Sequence, residues 1–148
     1  MRILVINGPN LNLLGTRETD IYGMMTLEAL NSELIEYGKT LNIDIECHQS
    51  NLEGILIDLL HHAHHAHFDG VILNAAAYTH YSYALYDAIK AIDVPVVEVH
   101  LSNPEKRSES FRRVSLIKDA CAATFQGQHK NSYFKALEYL RTHYQKHS

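Results

Sequence analysis

Glu98 and His100 stand two positions apart in an apolar run, so in an extended strand their side chains share one face. A carboxylate beside an imidazole can orient the ring or favour its charged form, which suits a general acid. The other reading is a histidine satisfied by backbone groups at a strand end. His80 admits the same two readings. A second pair lies in Gly15-Thr16-Arg17-Glu18-Thr19-Asp20-Ile21-Tyr22-Gly23, a long loop with glycine at both ends. Loops of that kind often close over ligands. A tyrosine needs roughly 4 kcal/mol to act as a base at neutral pH, and one guanidinium at about 4 Å supplies a similar amount at an effective dielectric near 20, with desolvation working against it. Tyr22 with Arg17 is therefore either a tyrosinate base and its counter-charge or a packed ring near a solvated arginine, and spacing does not choose between them. Arg112 and Arg113 divide likewise between anchoring a carboxylate or hydroxyl and lying solvated at the surface.

Apolar runs and helical stripes alternate along the chain, the pattern of a parallel sheet covered by helices on both faces. Ile3 to Ile6 reads as the first buried strand. Leu27, Leu30, Leu34, Tyr37 and Leu41 recur at helical steps behind Thr26, a natural N-cap. Ile43 to Cys47 alternates apolar with polar, as a half-exposed strand does. Ser50 to Glu53 spells a capping box, which starts a second helix near Asn51 with a core stripe of Leu52, Ile55, Leu56, Leu59, Leu60 and Ala63. Gly70 to Asn74 is a third strand, and Ala84, Leu85, Ala88 and Ile89 mark a third helix. Val94 to His100 is a fourth strand, with Pro95 near its start where a missing donor is tolerated. Ala122 to Phe125 is a weaker fifth strand, and the closing helix carries Tyr133, Leu137, Leu140 and Tyr144 on one face. Five strands with right-handed crossovers predict an α/β, flavodoxin-like, doubly wound fold in a single domain spanning residues 1–148, with strand order left open.

The charge balance is mildly acidic, 13 Lys and Arg against 17 Asp and Glu, so neither a nucleic-acid footprint nor an anionic membrane partner is indicated. Met1 leads into a short apolar run and then Asn7-Gly8-Pro9, which leaves no room for a signal peptide or a membrane span. Cys47 and Cys121 are too few for a disulfide scaffold and read as small buried hydrophobes of a cytoplasmic protein. The run His61-His62-Ala63-His64-His65-Ala66-His67 raises a metal hypothesis, but it sits at a helix C-terminus, where cationic side chains complement the dipole.

In an open parallel sheet the ligand crevice lies beyond the carboxyl ends of the strands. The residues there are Asn7-Gly8-Pro9-Asn10, then Asn74 with Thr79-His80, then His100-Leu101-Ser102-Asn103. The chain lacks an acid cluster for a divalent metal, a dinucleotide glycine turn and a phosphate loop. Acid–base chemistry without a cofactor is the reading left.

These residues, in this order, resemble the type II 3-dehydroquinate dehydratases over nearly the whole chain. The most specific block is Asn7-Gly8-Pro9-Asn10-Leu11-Asn12-Leu13-Leu14-Gly15-Thr16-Arg17-Glu18 followed by Ile21-Tyr22-Gly23. Further blocks are Gln49-Ser50-Asn51 with Glu53-Gly54 and Leu56-Ile57-Asp58; Ile72-Leu73-Asn74-Ala75 with Tyr78-Thr79-His80, Ala84-Leu85 and Asp87-Ala88; and Val97 to Asn103 with Phe111-Arg112-Arg113 and Ser115. The resemblance implies dehydration of 3-dehydroquinate to 3-dehydroshikimate, in the shikimate route or in quinate catabolism, with no cofactor and no metal. It implies that Tyr22 removes a proton beside the ketone, that Arg17 favours the tyrosinate, and that Asn10 helps place a water on the enolate oxygen. His100 would protonate the leaving hydroxyl with Glu98 orienting it. Asn74, His80, Arg112 and the backbone amides of Leu101 and Ser102 would hold the substrate. Asp87 would come from a neighbouring subunit of a homo-oligomer, a dodecamer built from trimers.

Two stretches depart from the family pattern. Tyr81, Tyr83 and Tyr86 stand where smaller residues and, before the aspartate, often arginine are expected, which bears on the contact around Asp87. The segment from Pro104 to Ser110 is one residue longer than usual, which leaves Arg107 outside the expected site. The competing readings are a flavodoxin-like binding or receiver module, for which the first strand lacks the acids at its end, and a serine hydrolase using Ser102 or Ser82, for which no nucleophile elbow is present.

Overall fold

The computed structural model describes residues 1–16, 20 and 24–146. Five parallel strands form one sheet in the order β2-β1-β3-β4-β5: β1 Arg2–Asn7, β2 Asp44–Gln49, β3 Gly70–Asn74, β4 Val96–His100 and β5 Ala123–Gln126. This is the flavodoxin-like order, whose crevice opens where the chain reverses direction between β1 and β3. Among the described residues the sheet is covered by the α-helices α1 Leu27–Thr40, α2 Glu53–His65, α3 Tyr83–Ala91 and α4 Asn131–Tyr144.

Strand periodicity divides the core in two. Ile3, Val5, Ile72, Val97 and Val99 pack against Leu30 and Leu34 of α1 and Leu137 and Leu140 of α4. Leu4, Ile6, Val71, Leu73 and Val96 face the other way, onto Leu56 and Leu60 of α2 and Leu85 and Ile89 of α3. Because β1, β3 and β4 are buried on both faces, they read in the sequence as unbroken apolar runs. β2 is an edge strand with alternating exposure, as its sequence alternation predicts.

Thr26 caps α1 as expected, its hydroxyl accepting from the Ala29 N–H. The capping box at Ser50 does not form. Its hydroxyl accepts from the Leu52 N–H, α2 begins at Glu53, and the Glu53 carboxylate instead accepts from the Ser82 hydroxyl at 2.7 Å. Ser82 meanwhile caps α3 by accepting from the Leu85 N–H, so one hydroxyl joins the starts of two helices. With α2 starting later, Leu52 and Ile55 fall outside its buried stripe and are 61% and 42% exposed. Tyr144 is likewise exposed at the end of α4, while Ala136 joins the buried face. Among the described residues no helix is long and apolar enough to cross a membrane.

Candidate active site

The crevice is built from the strand ends inward. Gly8 follows β1 and donates its N–H to the Asn74 carbonyl at 2.7 Å. A Cβ at Gly8 would stand 2.7 Å from the Ala75 carbonyl oxygen, so only glycine lets these two chain segments approach. Two residues later Asn10 adopts φ 69, a left-handed conformation that asparagine tolerates better than most side chains. The Asn10 N–H donates to Asn51 Oδ1 at 3.0 Å, and the Gln49 amide donates to Asn51 Oδ1 and to the Gly8 carbonyl, both at 3.1 Å. The end of β2 thus clamps the turn that presents Asn10. Gln49 and Asn51 belong to the quoted family block, yet their contacts across 41 positions are visible only in three dimensions.

Glu98 and His100 project from the same face of β4, and the imidazole Nε2 lies 2.7 Å from Glu98 Oε2. Glu98 has no exposed surface. Burial works against its ionisation, but hydrogen bonds from His100, from the Ser115 hydroxyl at 2.6 Å and from the Thr124 hydroxyl at 2.9 Å outweigh it and hold its pKa below the ordinary 4.5. An ionised carboxylate only accepts, so His100 Nε2 carries a hydrogen and Nδ1 is the ring nitrogen left for the crevice. A protonated His100 would be a donor from Nδ1 with its charge balanced from behind.

His80 has the reverse tautomer. Its Nδ1 lies 2.7 Å from the Val114 carbonyl and must donate, which leaves Nε2 as an acceptor when the ring is neutral. Burial lowers the pKa of His80 and favours that neutral form, and the nearby His100 and Arg112 push it the same way, against the Val114 carbonyl. At Arg112, Nε is 3.4 Å from Glu109 Oε2, close enough for ion pairing but not aligned as a hydrogen bond, and the guanidinium lies over the Phe111 ring. The Leu101 carbonyl accepts from the His129 N–H, which fixes the plane of the peptide whose other side is the Ser102 N–H.

Asn10, Asn74, His80, His100, Leu101, Ser102 and Arg112 line one cleft of about 100 Å³ at the carboxyl edge of the sheet. Glu98 lies behind His100 in an adjoining pocket shared with Arg112. Arg107, which sequence reasoning set aside, also lines the cleft. Asp87 is exposed on α3 and does not reach this cleft. Tyr22 and Arg17 lie outside the described residues; Gly15, at one base of their loop, is packed so that a Cβ would stand 2.9 Å from the Met24 carbonyl oxygen at the other. A larger cavity of about 860 Å³ opens at the opposite, amino edge of the sheet, beside His64, His65 and Cys121, away from the Glu98–His100 pair. Cys47 and Cys121 are partly buried and free, and burial pushes the Cys47 thiol up to about 11. Among the described residues, no three His, Cys, Asp or Glu side chains are grouped to hold a metal ion.

With the cleft defined, comparison with known proteins is decisive. The family described as Dehydroquinase class II matches residues 1–141. The chain belongs to the class II dehydroquinases. It is 48% identical over 143 residues to a 3-dehydroquinate dehydratase of Clostridium perfringens, covering 97% of each chain. A 3-dehydroquinate dehydratase of Ruegeria pomeroyi is 49% identical over 141 residues, with 95% of this chain and 93% of that one covered. The crystal structure of a type II dehydroquinase from Butyrivibrio crossotus superposes with a TM-score of 0.93 at 45% identity, over 95% of this chain and 97% of the other. As a dehydroquinase the chain is a hydro-lyase.

Proposed function

We propose that the chain dehydrates 3-dehydroquinate to 3-dehydroshikimate in two steps, using side chains alone. Tyr22, as a tyrosinate favoured by Arg17, takes a proton from the carbon beside the ketone, and the electron pair moves onto the ketone oxygen as an enolate. Asn10 places a water against that oxygen, stabilising the charge where it develops. His100 then gives its Nδ1 proton to the departing hydroxyl, the carbon–oxygen bond breaks, the enolate collapses to the enone, and water leaves. The observation that carries this reading is the contact between His100 and a fully buried, triply hydrogen-bonded Glu98, which fixes the ring and turns Nδ1 toward the cleft.

The remaining residues suit a polyhydroxy acid. Arg112 is a donor for the carboxylate, neutral His80 accepts from a hydroxyl, and Asn74 with the Leu101 and Ser102 amides adds further polar contacts. Asp87, exposed on α3, is assigned to the cleft of a neighbouring copy in a trimer-based dodecamer. Mixing the purified protein with 3-dehydroquinate and following the ultraviolet absorbance of the conjugated enone tests the activity. No signal above a heat-killed control would refute it. Activity is expected to survive exhaustive chelation, and sedimentation under assay conditions is expected to show an oligomer; a fully active monomer would remove Asp87 from the site.

A further inference from the structure

One buried hydroxyl is unaccounted for by the two-step reaction. Tyr133, on the first turn of α4, has no exposed surface, and its hydroxyl sits between the ends of β1 and β3. It donates to Asn7 Oδ1 at 2.6 Å and accepts from Asn74 Nδ2 at 2.9 Å. Asn7 and Asn74 are register partners at the last paired position of their strands. A phenol has one hydrogen, so once that hydrogen is committed to Asn7 the oxygen can only accept from Asn74. On its other side Asn74 Oδ1 accepts from the Ala76 N–H at 3.1 Å, and Ala76 holds φ 51, unusual for alanine, to supply it. Both ends of the Asn74 amide are therefore fixed. Its carbonyl is occupied and one amide hydrogen is taken, leaving a single N–H for the cleft.

The arrangement has a cost that stability alone does not explain. Asn7 is completely buried, and its Nδ2 has no hydrogen-bond partner. A buried amide kept for its oxygen alone points to an orienting role.

We infer that Tyr133 is a positioning residue: with Asn7 it locks the amide of Asn74 so that the cleft meets a hydrogen-bond donor there, selecting an acceptor oxygen on the substrate. The inference rests on the proposed role of Asn74 in holding substrate, so the test is a double-mutant cycle on KM for 3-dehydroquinate. Asn74→Ala is expected to raise KM roughly tenfold and Tyr133→Phe roughly fivefold, from the loss of one oriented hydrogen bond each. The double variant is expected to match Asn74→Ala alone, because without the amide there is nothing left to orient. A structural role for Tyr133 would instead lower the thermal midpoint and multiply the two KM effects, which would overturn the inference. An unchanged KM in folded Tyr133→Phe would also overturn it. An unchanged KM in Asn74→Ala would remove the reading of Asn74 itself and this inference with it. Should Tyr133→Phe not fold, Asn7→Ala serves as the second arm: it releases the hydroxyl hydrogen to turn, and a KM rise that vanishes in the Asn74→Ala background is expected, whereas no rise would overturn the inference.

Discussion

Replacing Glu98 by glutamine keeps the shape of the side chain and removes its charge. Two unit charges about 4 Å apart at an effective dielectric near 20 interact by about 4 kcal/mol, so the variant withdraws support of that order from a protonated His100. That is at most about a thousandfold in rate. A glutamine oxygen in the place of Oε2 still accepts from His100 and Ser115, which leaves the loss of charge as the main effect, so kcat is expected to fall between about 10²- and 10³-fold. KM should stay within about threefold, since Glu98 lies behind His100 and not on the substrate cleft. Stability carries a second signature. The folded pKa of Glu98 is depressed below 4.5, so its ionisation contributes stability that is fully present above the unfolded value and is lost as pH falls through the folded one. The gap in thermal midpoint between the wild-type chain and Glu98→Gln is therefore expected to be constant above about pH 5 and to close on further acidification. Initial rates from the enone absorbance, with unfolding curves across the acid range, measure both. A kcat within twofold of wild type would refute the supporting role, and a gap that widens in acid would refute the ionised state of Glu98.

Tyr22→Phe is expected to bind substrate yet lose both turnover and exchange of the carbon-bound proton with solvent, whereas His100→Ala should stop loss of the hydroxyl while deuterium still enters recovered substrate; near-normal turnover of Tyr22→Phe would exclude the tyrosinate base. Ala76→Gly should raise stability by about 0.5–1 kcal/mol in denaturant unfolding, because φ 51 strains alanine but not glycine; a lowered midpoint would show that Ala76 is not strained. Gly8→Ala should destabilise by about 1–3 kcal/mol and raise KM, since the new methyl meets the Ala75 backbone, which cannot swing aside. Unchanged unfolding and kinetics would contradict the close approach of β1 and β3.

Interactions confined to a few neighbouring positions were legible in the sequence. Thr26 announces α1 because its cap partner is three positions away, and Glu98 announces its relation to His100 because a strand repeats every two residues. The acidic residue at Glu53 misled for the opposite reason: its partner is Ser82, 29 positions on, which outcompetes the local box. Leu52 and Ile55 carry apolar side chains that stay largely exposed in the single chain, so periodicity overextended the core. The clamp of Gln49 and Asn51 on Asn10, and the bridge from Tyr133 to Asn7 and Asn74, follow from strand order, and strand order does not follow from local pattern. The family resemblance marked Gln49 and Asn51 but could not say what they touch. Arg107 was set aside because the inserted residue obscured its register, and it lines the cleft nonetheless.

The bridge from Tyr133 to Asn7 spans 126 positions, nearly the full chain. On the ribosome β1 is made well before α4, so Asn7 and Asn74 wait for their shared hydroxyl until residue 133 has been added. All five strands precede α4 and can pair beforehand, but Asn7 Oδ1 and Asn74 Nδ2 lack the Tyr133 hydroxyl during that interval. The cleft floor therefore matures only once α4 has been added. A chain released early, short of residue 131, would keep His100 in its sequence and lack the hydroxyl that holds Asn74 at the floor of the cleft.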